Sequence, residues 1–339
     1  MSLLKEGIRQ GSKPRAFLGI GLLLAGIGIL FFGLPHFFSE DWRFEKIKEM
    51  KPGDAGFPTL EGQFQPENLA EYEIGREDKA IVSLHVVSYR DKSGALRRAI
   101  VYPPSGGASS PLPSIADGNQ IRHDLWKSAA QAIRQHTDEN AVFVSWWDDA
   151  QRIHFLAGRD TWAALPVAEA FPEPRSRSFW GEIAGGFAKD EQPLRQLAHW
   201  LAMDADRALA ELSERLPKDK PVFLAVCLDD LARLLEMEAL SGVSLPFEAR
   251  FFPAEANIHA QISAVKRWAE EKGRGSYLVH PLPGGGIRAW RITSEEGEKT
   301  LLARLLPFVG SVANLPEQLQ LVYQSEQGGY LSVFKWIVR

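Results

Sequence analysis

The sequence predicts an α/β fold: a membrane-anchored domain whose partly parallel sheet is flanked by helices and carries added antiparallel β-hairpins. Three observations predict it. Short apolar runs of strand length alternate with helical stripes from residue 121 onward, the pattern of a sheet with crossover helices. The segments 80–102 and 319–338 each read as two strands around a turn. The stretch Ala16–Leu34 contains no charge.

That uncharged stretch, AFLGIGLLLAGIGILFFGL, would span roughly 29 Å as a helix at about 1.5 Å per residue, close to the hydrocarbon thickness. Phe37 and Phe38 extend it past Pro35. Lys5, Arg9, Lys13 and Arg15 precede it, and Glu40 and Asp41 follow, so the positive-inside rule puts the N-terminus in the cytoplasm. A cleaved signal peptide has a shorter apolar core of about 7–15 residues and small residues at its cleavage site. Pro35-His36-Phe37-Phe38 offers no such site, so an uncleaved single-pass anchor is expected. Gly21 and Ala25 have the small-xxx-small spacing of packed membrane helices, although glycine is common in such helices anyway. The expected organisation is a cytoplasmic N-terminus (1–15), a transmembrane helix (16–38), a linker or stalk (39–78) and a periplasmic α/β domain (79–339), either single or as two packed subdomains.

Residues 42–74 hold Pro52, Gly53, Gly56, Pro58, Gly62 and Pro66 with little periodicity, hence the stalk. IVSLHVVSY and LRRAIVY then flank Asp91-Lys-Ser-Gly94, a hairpin. Residues 103–118 form a Pro/Gly/Ser-rich loop. Ile121, Leu125, Ala129 and Ile133 give a helical stripe, and AVFVS (141–145) a buried strand. Leu194, Leu197, Leu201, Ala205, Ala208 and Leu212 predict one long amphipathic helix with Pro193 in its first turn. PVFLAVCL (221–228) is a buried strand followed by a helix through Leu231, Leu234 and Leu235. A helix over Ile258–Trp268 precedes strands SYLVHPL (276–282) and IRAWRI (287–292) around Gly284-Gly-Gly286. LQLVYQ and YLSVFKWIV close the chain as a second hairpin.

Composition narrows the function classes. The 339 residues are 45% hydrophobic and 24% charged, as in a globular protein, and the net charge of -4 leaves no basic excess for nucleic acid. The single cysteine, Cys227, can form neither an intrachain disulfide nor a multi-cysteine metal centre. No C-x-x-C-H, G-x-G-x-x-G, G-x-S-x-G or H-E-x-x-H pattern is present, so no bound cofactor is expected.

In open α/β sheets, ligands bind beyond the carboxyl ends of the strands. Three strand ends here carry polar residues: Trp146-Trp147-Asp148-Asp149 after Ser145, Asp229-Asp230, and His280. Their convergence would place four carboxylates and an imidazole in one crevice, a donor set suited to a hard or borderline divalent ion. The competing reading is that Asp148 or Asp149 caps the helix beginning near Ala150 and Asp229 the helix beginning near Asp230. His154 and Arg159 could bind an anion or pair with the nearby aspartates. His199 and Cys227 read as structural, the latter as a small buried hydrophobe.

VFVSWWDDAQRIHFLAGRDTW (142–162), taken with the anchor, resembles the HaoB family of hydroxylamine oxidation proteins from ammonia-oxidising bacteria and methanotrophs, and IHAQISAVKRWAEEKGRGSYLVHPLPGGGIRAWRI (258–292) is similar to the same family. The resemblance implies an accessory protein of the inner membrane, facing the periplasm and partnered with hydroxylamine oxidoreductase or a related multihaem cytochrome c. It carries over no catalytic residue. On this reading Trp146, Trp147 and Trp180 would be exposed docking anchors, since aromatics dominate interface hot spots. The alternative is a ligand-binding or divalent-metal enzyme at the Trp-Trp-Asp-Asp strand end. Trp146-Trp147-Asp148 is also similar to the W-W-D motif of membrane oligosaccharyltransferases. There Tyr-Gly follows, here Asp149-Ala150, and those enzymes have many spans, so glycosyl transfer does not carry over.

Overall fold

The computed structural model describes residues 42–76, 79–104, 115–254, 257–272, 275–281, 286–311, 314–326 and 329–337. The expected anchor at 16–38 lies outside the described residues, as do most of the 103–118 loop and the first two glycines of Gly284-Gly-Gly286. Among the described residues no helix is long and apolar enough to cross a membrane.

The architecture is mixed α/β with three sheets. The first is an antiparallel meander of β1 (Trp42–Met50), β2 (Pro66–Arg76), β3 (Lys79–Arg90) and β4 (Leu96–Val101). The expected hairpin is its second half, with Gly94 at φ +82°, a conformation open to glycine at little steric cost. The expected stalk is its first half, which corrects the 39–78 linker. β1 pairs with β2 from Trp42 to Met50, and β2 buries Leu69, Ala70, Tyr72 and Ile74. WRFEKIKEM hides its strand character because an edge strand keeps its charges in solvent, where they also discourage pairing with another chain.

The central sheet has the order β11-β12-β7-β5-β6, made of β5 (Val142–Val144), β6 (Asp160–Thr161), β7 (Val222–Cys227), β11 (Leu319–Gln324) and β12 (Leu331–Trp336). β5 runs parallel to both β6 and β7, whereas β12 is antiparallel to β7 and β11. Every residue of β5 and β7 is buried, which is why both read as unbroken apolar runs. A third, antiparallel sheet has the order β8-β10-β9, from β8 (Phe247–Phe252), β9 (Tyr277–Pro281) and β10 (Ile287–Ile292).

The helices are α1 (Ile115–His136), α2 (Trp147–Ala157), α3 (Pro174–Ala184), α4 (Gln192–Ala202), α5 (Ala205–Arg215), α6 (Leu234–Ser241), α7 (Ile258–Lys272) and the short α8 (Glu295–Lys299) and α9 (Leu301–Leu305). The single long helix expected over 194–212 is α4 and α5. Its apolar stripe is continuous, but the Asp204 carboxylate accepts the backbone N–H groups of Asp206 and Arg207 and so starts a new helix. The break is held from outside, because Leu301 donates its N–H to the Met203 carbonyl and Asp204 bridges to Thr300. The meander packs on the helical layer through Phe44 against Phe179 and through the Tyr72 hydroxyl, which donates to Glu182 at 2.9 Å.

Candidate functional site

β5 ends at Val144 and α2 begins at Trp147, so Ser145–Asp149 turn the chain from the sheet onto the helical layer. Trp146 is the N-cap, with extended backbone and no side-chain cap bond. Asp148 and Asp149 therefore do not cap α2. They stand in its first turn, where the helix dipole favours carboxylates.

The two indoles have a common acceptor. Trp146 and Trp147 donate their Nε1–H groups to Glu236 of α6 at 3.3 and 3.0 Å. Arg233 then joins Glu236 to Asp148, at 2.8 and 2.9 Å. Its guanidinium lies 5.3 Å from the Trp147 ring centre and 4.9 Å from that of Trp180. Burial works against the Arg233 charge, but Asp148 and Glu236 outweigh it and raise its pKa. Trp146, Trp147 and Trp180 are 1%, 0% and 8% exposed. They are parts of the core, which corrects their expected role as exposed docking anchors.

A second network surrounds Asp149. Its carboxylate pairs with Arg152, one turn further along α2. Arg152 donates Nε–H to the Ile100 carbonyl at 2.9 Å, and its guanidinium lies 4.4 Å from the ring centre of Trp126 and 4.9 Å from that of Tyr102. On the other side of Asp149 are Cys227 and Asp230. Asp230 accepts the Cys227 N–H at 2.8 Å at the entry to a 3₁₀ turn, Leu228–Ala232. The N-cap of this turn is thus Cys227, and Asp230 at its third position, not Asp229, supplies the carboxylate that reaches back to the cap's N–H. Burial pushes the Asp149 carboxyl up to about 6, against the pull of Arg152, and pushes Asp230 well above the usual carboxylate range. Burial and the neighbouring aspartates also raise the Cys227 thiol. Among the described residues these three form the group able to hold an ion, their ligand atoms lying within 4.8 Å of one another. The Arg152 charge already stands beside Asp149, and a metal would require a thiolate that burial disfavours.

Asp229 belongs to a third, more open network. It accepts from Arg122 Nε and Nη2, both at 3.2 Å, from the Tyr330 hydroxyl, and from the Tyr102 hydroxyl at 3.4 Å. The side chains of Arg122 and Asp229 remain 27% and 22% exposed. Burial would raise Asp229, but Arg122 and Tyr330 overcome it and hold the carboxyl well below its ordinary range. His280 faces this group, 5.9 Å from the Tyr330 ring centre. Burial lowers the imidazole to about 4, Asp229 opposes, and Arg122 and Arg288 add to the lowering. Burial likewise brings Arg288 down to about 10.

The strand ends thus bring Asp229 and His280 together, while Asp148, Asp149 and Asp230 are engaged in internal pairs. The partners that complete the networks, Tyr102, Arg122, Arg152, Arg233, Glu236 and Tyr330, were not singled out by sequence reasoning. Two of the pairs are legible there as i,i+3 charges, Asp149 with Arg152 and Arg233 with Glu236. His154 Nδ1 lies 2.9 Å from the Arg159 carbonyl, and Arg159 donates to the carbonyls of Ala157, Arg134 and Thr137 rather than to the aspartates. His199 is exposed on α4.

Residues 11–336 match the family described as HaoA-associated protein HaoB. No curated protein matches the chain. Among solved structures, the chain is similar to the C. jejuni pglb C-terminal domain, with a TM-score of 0.36 and 12% identity, over 62% of this chain and 99% of that one.

Proposed function

We propose, from the premise that this chain belongs to the HaoA-associated protein HaoB family, that it is a single-pass protein of the bacterial inner membrane that holds or assists a periplasmic multihaem hydroxylamine oxidoreductase. Membership ties the chain to hydroxylamine oxidation in association with HaoA. The observation that carries the finer reading is that the family match begins at residue 11 and so includes the uncharged run at 16–38. Lys5, Arg9, Lys13 and Arg15 on its near side favour a cytoplasmic N-terminus, and the first described strand begins at Trp42, just beyond it. The interior supports an accessory role over a metal enzyme, because the Trp-Trp-Asp-Asp carboxylates neutralise the buried Arg152 and the partly buried Arg233.

Tethering has a direct readout. In cells lacking this chain, the share of the multihaem enzyme recovered in the membrane fraction should fall, and re-expression of the full chain should restore it. An unchanged distribution would contradict the tether.

A further inference from the structure

Among the described residues β8 is an outer strand of the third sheet, paired only with β10 and in unbroken antiparallel register. Edge strands usually carry a device that stops another chain from pairing with them. β1 has lysines and a bulge between Lys46 and Lys48, and β11 has a bulge between Leu321 and Tyr323. β6 is two residues long. On β9 the Tyr277 carbonyl accepts the Val309 N–H, and on β4 the Ile100 carbonyl accepts Arg152. β8 has no such guard: FEARFF contains no lysine, proline or bulge.

Two bonds fix which backbone groups of β8 face outward. Thr293 donates its N–H to the Pro246 carbonyl, and Ile292 donates to the Ser276 carbonyl on the other side of β10. Antiparallel pairs alternate, so Glu248, Arg250 and Phe252 are the residues of β8 bonded to β10. Ala249 and Phe251 direct their N–H and C=O groups the other way, where among the described residues they meet no partner. α7 packs over β9 and β10 and meets β8 at its last residue, Phe252, through Trp268, leaving Glu248 and Arg250 exposed.

This edge is complementary to itself. About Ala249, Glu248 mirrors Arg250 and Phe247 mirrors Phe251. We propose that the chain dimerises through β8, joining two three-stranded sheets into one about a two-fold axis at Ala249. Each Ala249 exchanges N–H and C=O bonds with its copy, and the Phe251 N–H meets the partner's Phe247 carbonyl. Glu248 and the partner's Arg250 then face each other at non-hydrogen-bonded positions, where cross-strand side chains come closest. Arg291 holds Glu248 through Oε2, which leaves Oε1 for that cation. An axis at Glu248 or at Arg250 would oppose like charges, so the charges select Ala249. This contact requires neither the anchor nor the multihaem partner.

The test is sedimentation velocity of the full chain in mild detergent over a concentration series, with the detergent matched in density. A dimer is expected. Arg250→Glu sets carboxylates against each other at both symmetric positions and should raise the dissociation constant about tenfold or more, whereas Arg250→Lys should leave it nearly unchanged. Ala249→Pro removes an N–H that makes no bond within the chain and should abolish the dimer. Arg250 is exposed and rests on the Phe252 ring, so Arg250→Glu should keep the thermal midpoint and remains readable even if Ala249→Pro does not fold. A monomer throughout the series would overturn the proposal, as would a dimer whose dissociation constant is unmoved by Arg250→Glu.

Discussion

At Arg152 a full positive charge sits in the core because three kinds of partner converge on it: the Asp149 carboxylate, the Ile100 carbonyl and the faces of Trp126 and Tyr102. Removing one member of a buried pair strands the other, so Arg152→Met should destabilise the fold by about 3–5 kcal/mol in urea unfolding, whereas a surface pair such as Lys127–Glu61 should be nearly silent. The paired indoles of the Glu236 network make a finer comparison. Trp147→Phe keeps the ring and loses the donor to Glu236, which should cost about 1–3 kcal/mol, while Trp147→Ala also opens a cavity and should cost about 3–5 kcal/mol. A Trp147→Phe change without cost would mean that the indole N–H contributes nothing, and equal costs for the two changes would mean that the ring contributes nothing beyond it. At this scale the sequence was informative about residue type and uninformative about partner. Adjacent tryptophans and aspartates were visible, but their acceptor and cation, Glu236 and Arg233, lie about ninety positions away.

The elements show where periodicity succeeds and where it misleads. β5 and β7 were legible because a strand buried on both faces is apolar throughout. β1 was not, because the charges of an edge strand interrupt the pattern. The break between α4 and α5 was hidden by an apolar stripe that runs through it, although Asp204 followed by two helical positions is a capping signal. Asp204→Ala should therefore destabilise the protein by about 1 kcal/mol. An unchanged unfolding midpoint would show that the Met203–Leu301 contact alone sets the break. Segment 60–63 offers a sharper test of close approach. Gly62→Ala places a methyl against the Phe155 ring, so it should both lower stability and expose the peptide bonds between Leu60 and Phe64 to limited proteolysis as this segment lifts.

At the scale of the whole molecule, the three networks join α1, α2, α6, β4, β7 and the two antiparallel sheets, and they give the fold a defined response to acid. His280 is lowered to about 4 from its ordinary 6.5, so the unfolded chain takes up its proton first. The contribution of His280 is consequently lost as the pH falls from about 6.5 to about 4, while Asp149, raised to about 6, works in the opposite direction below that value. Asp229, held below its ordinary value, contributes stability above about pH 4 that is lost only under stronger acid. His280→Gln should remove about 1–2 kcal/mol of the loss between pH 6.5 and 4, read as converging urea midpoints at the two pH values. Equal losses in both proteins would place the acid sensitivity elsewhere. The α/β class and the family were legible in the sequence, since both rest on patterns spread along the chain. The meaning of the Trp-Trp-Asp-Asp site was not, because it depends on distant residues that convert apparent ligands and docking groups into core. An accessory role in hydroxylamine oxidation makes one demand above others, a physical partner. Affinity purification of the full chain from native membranes in mild detergent, read by haem absorbance and mass spectrometry, tests that demand directly. The account expects a stoichiometric multihaem cytochrome c to accompany the chain; a colourless preparation that retains no haem protein even after crosslinking would contradict it.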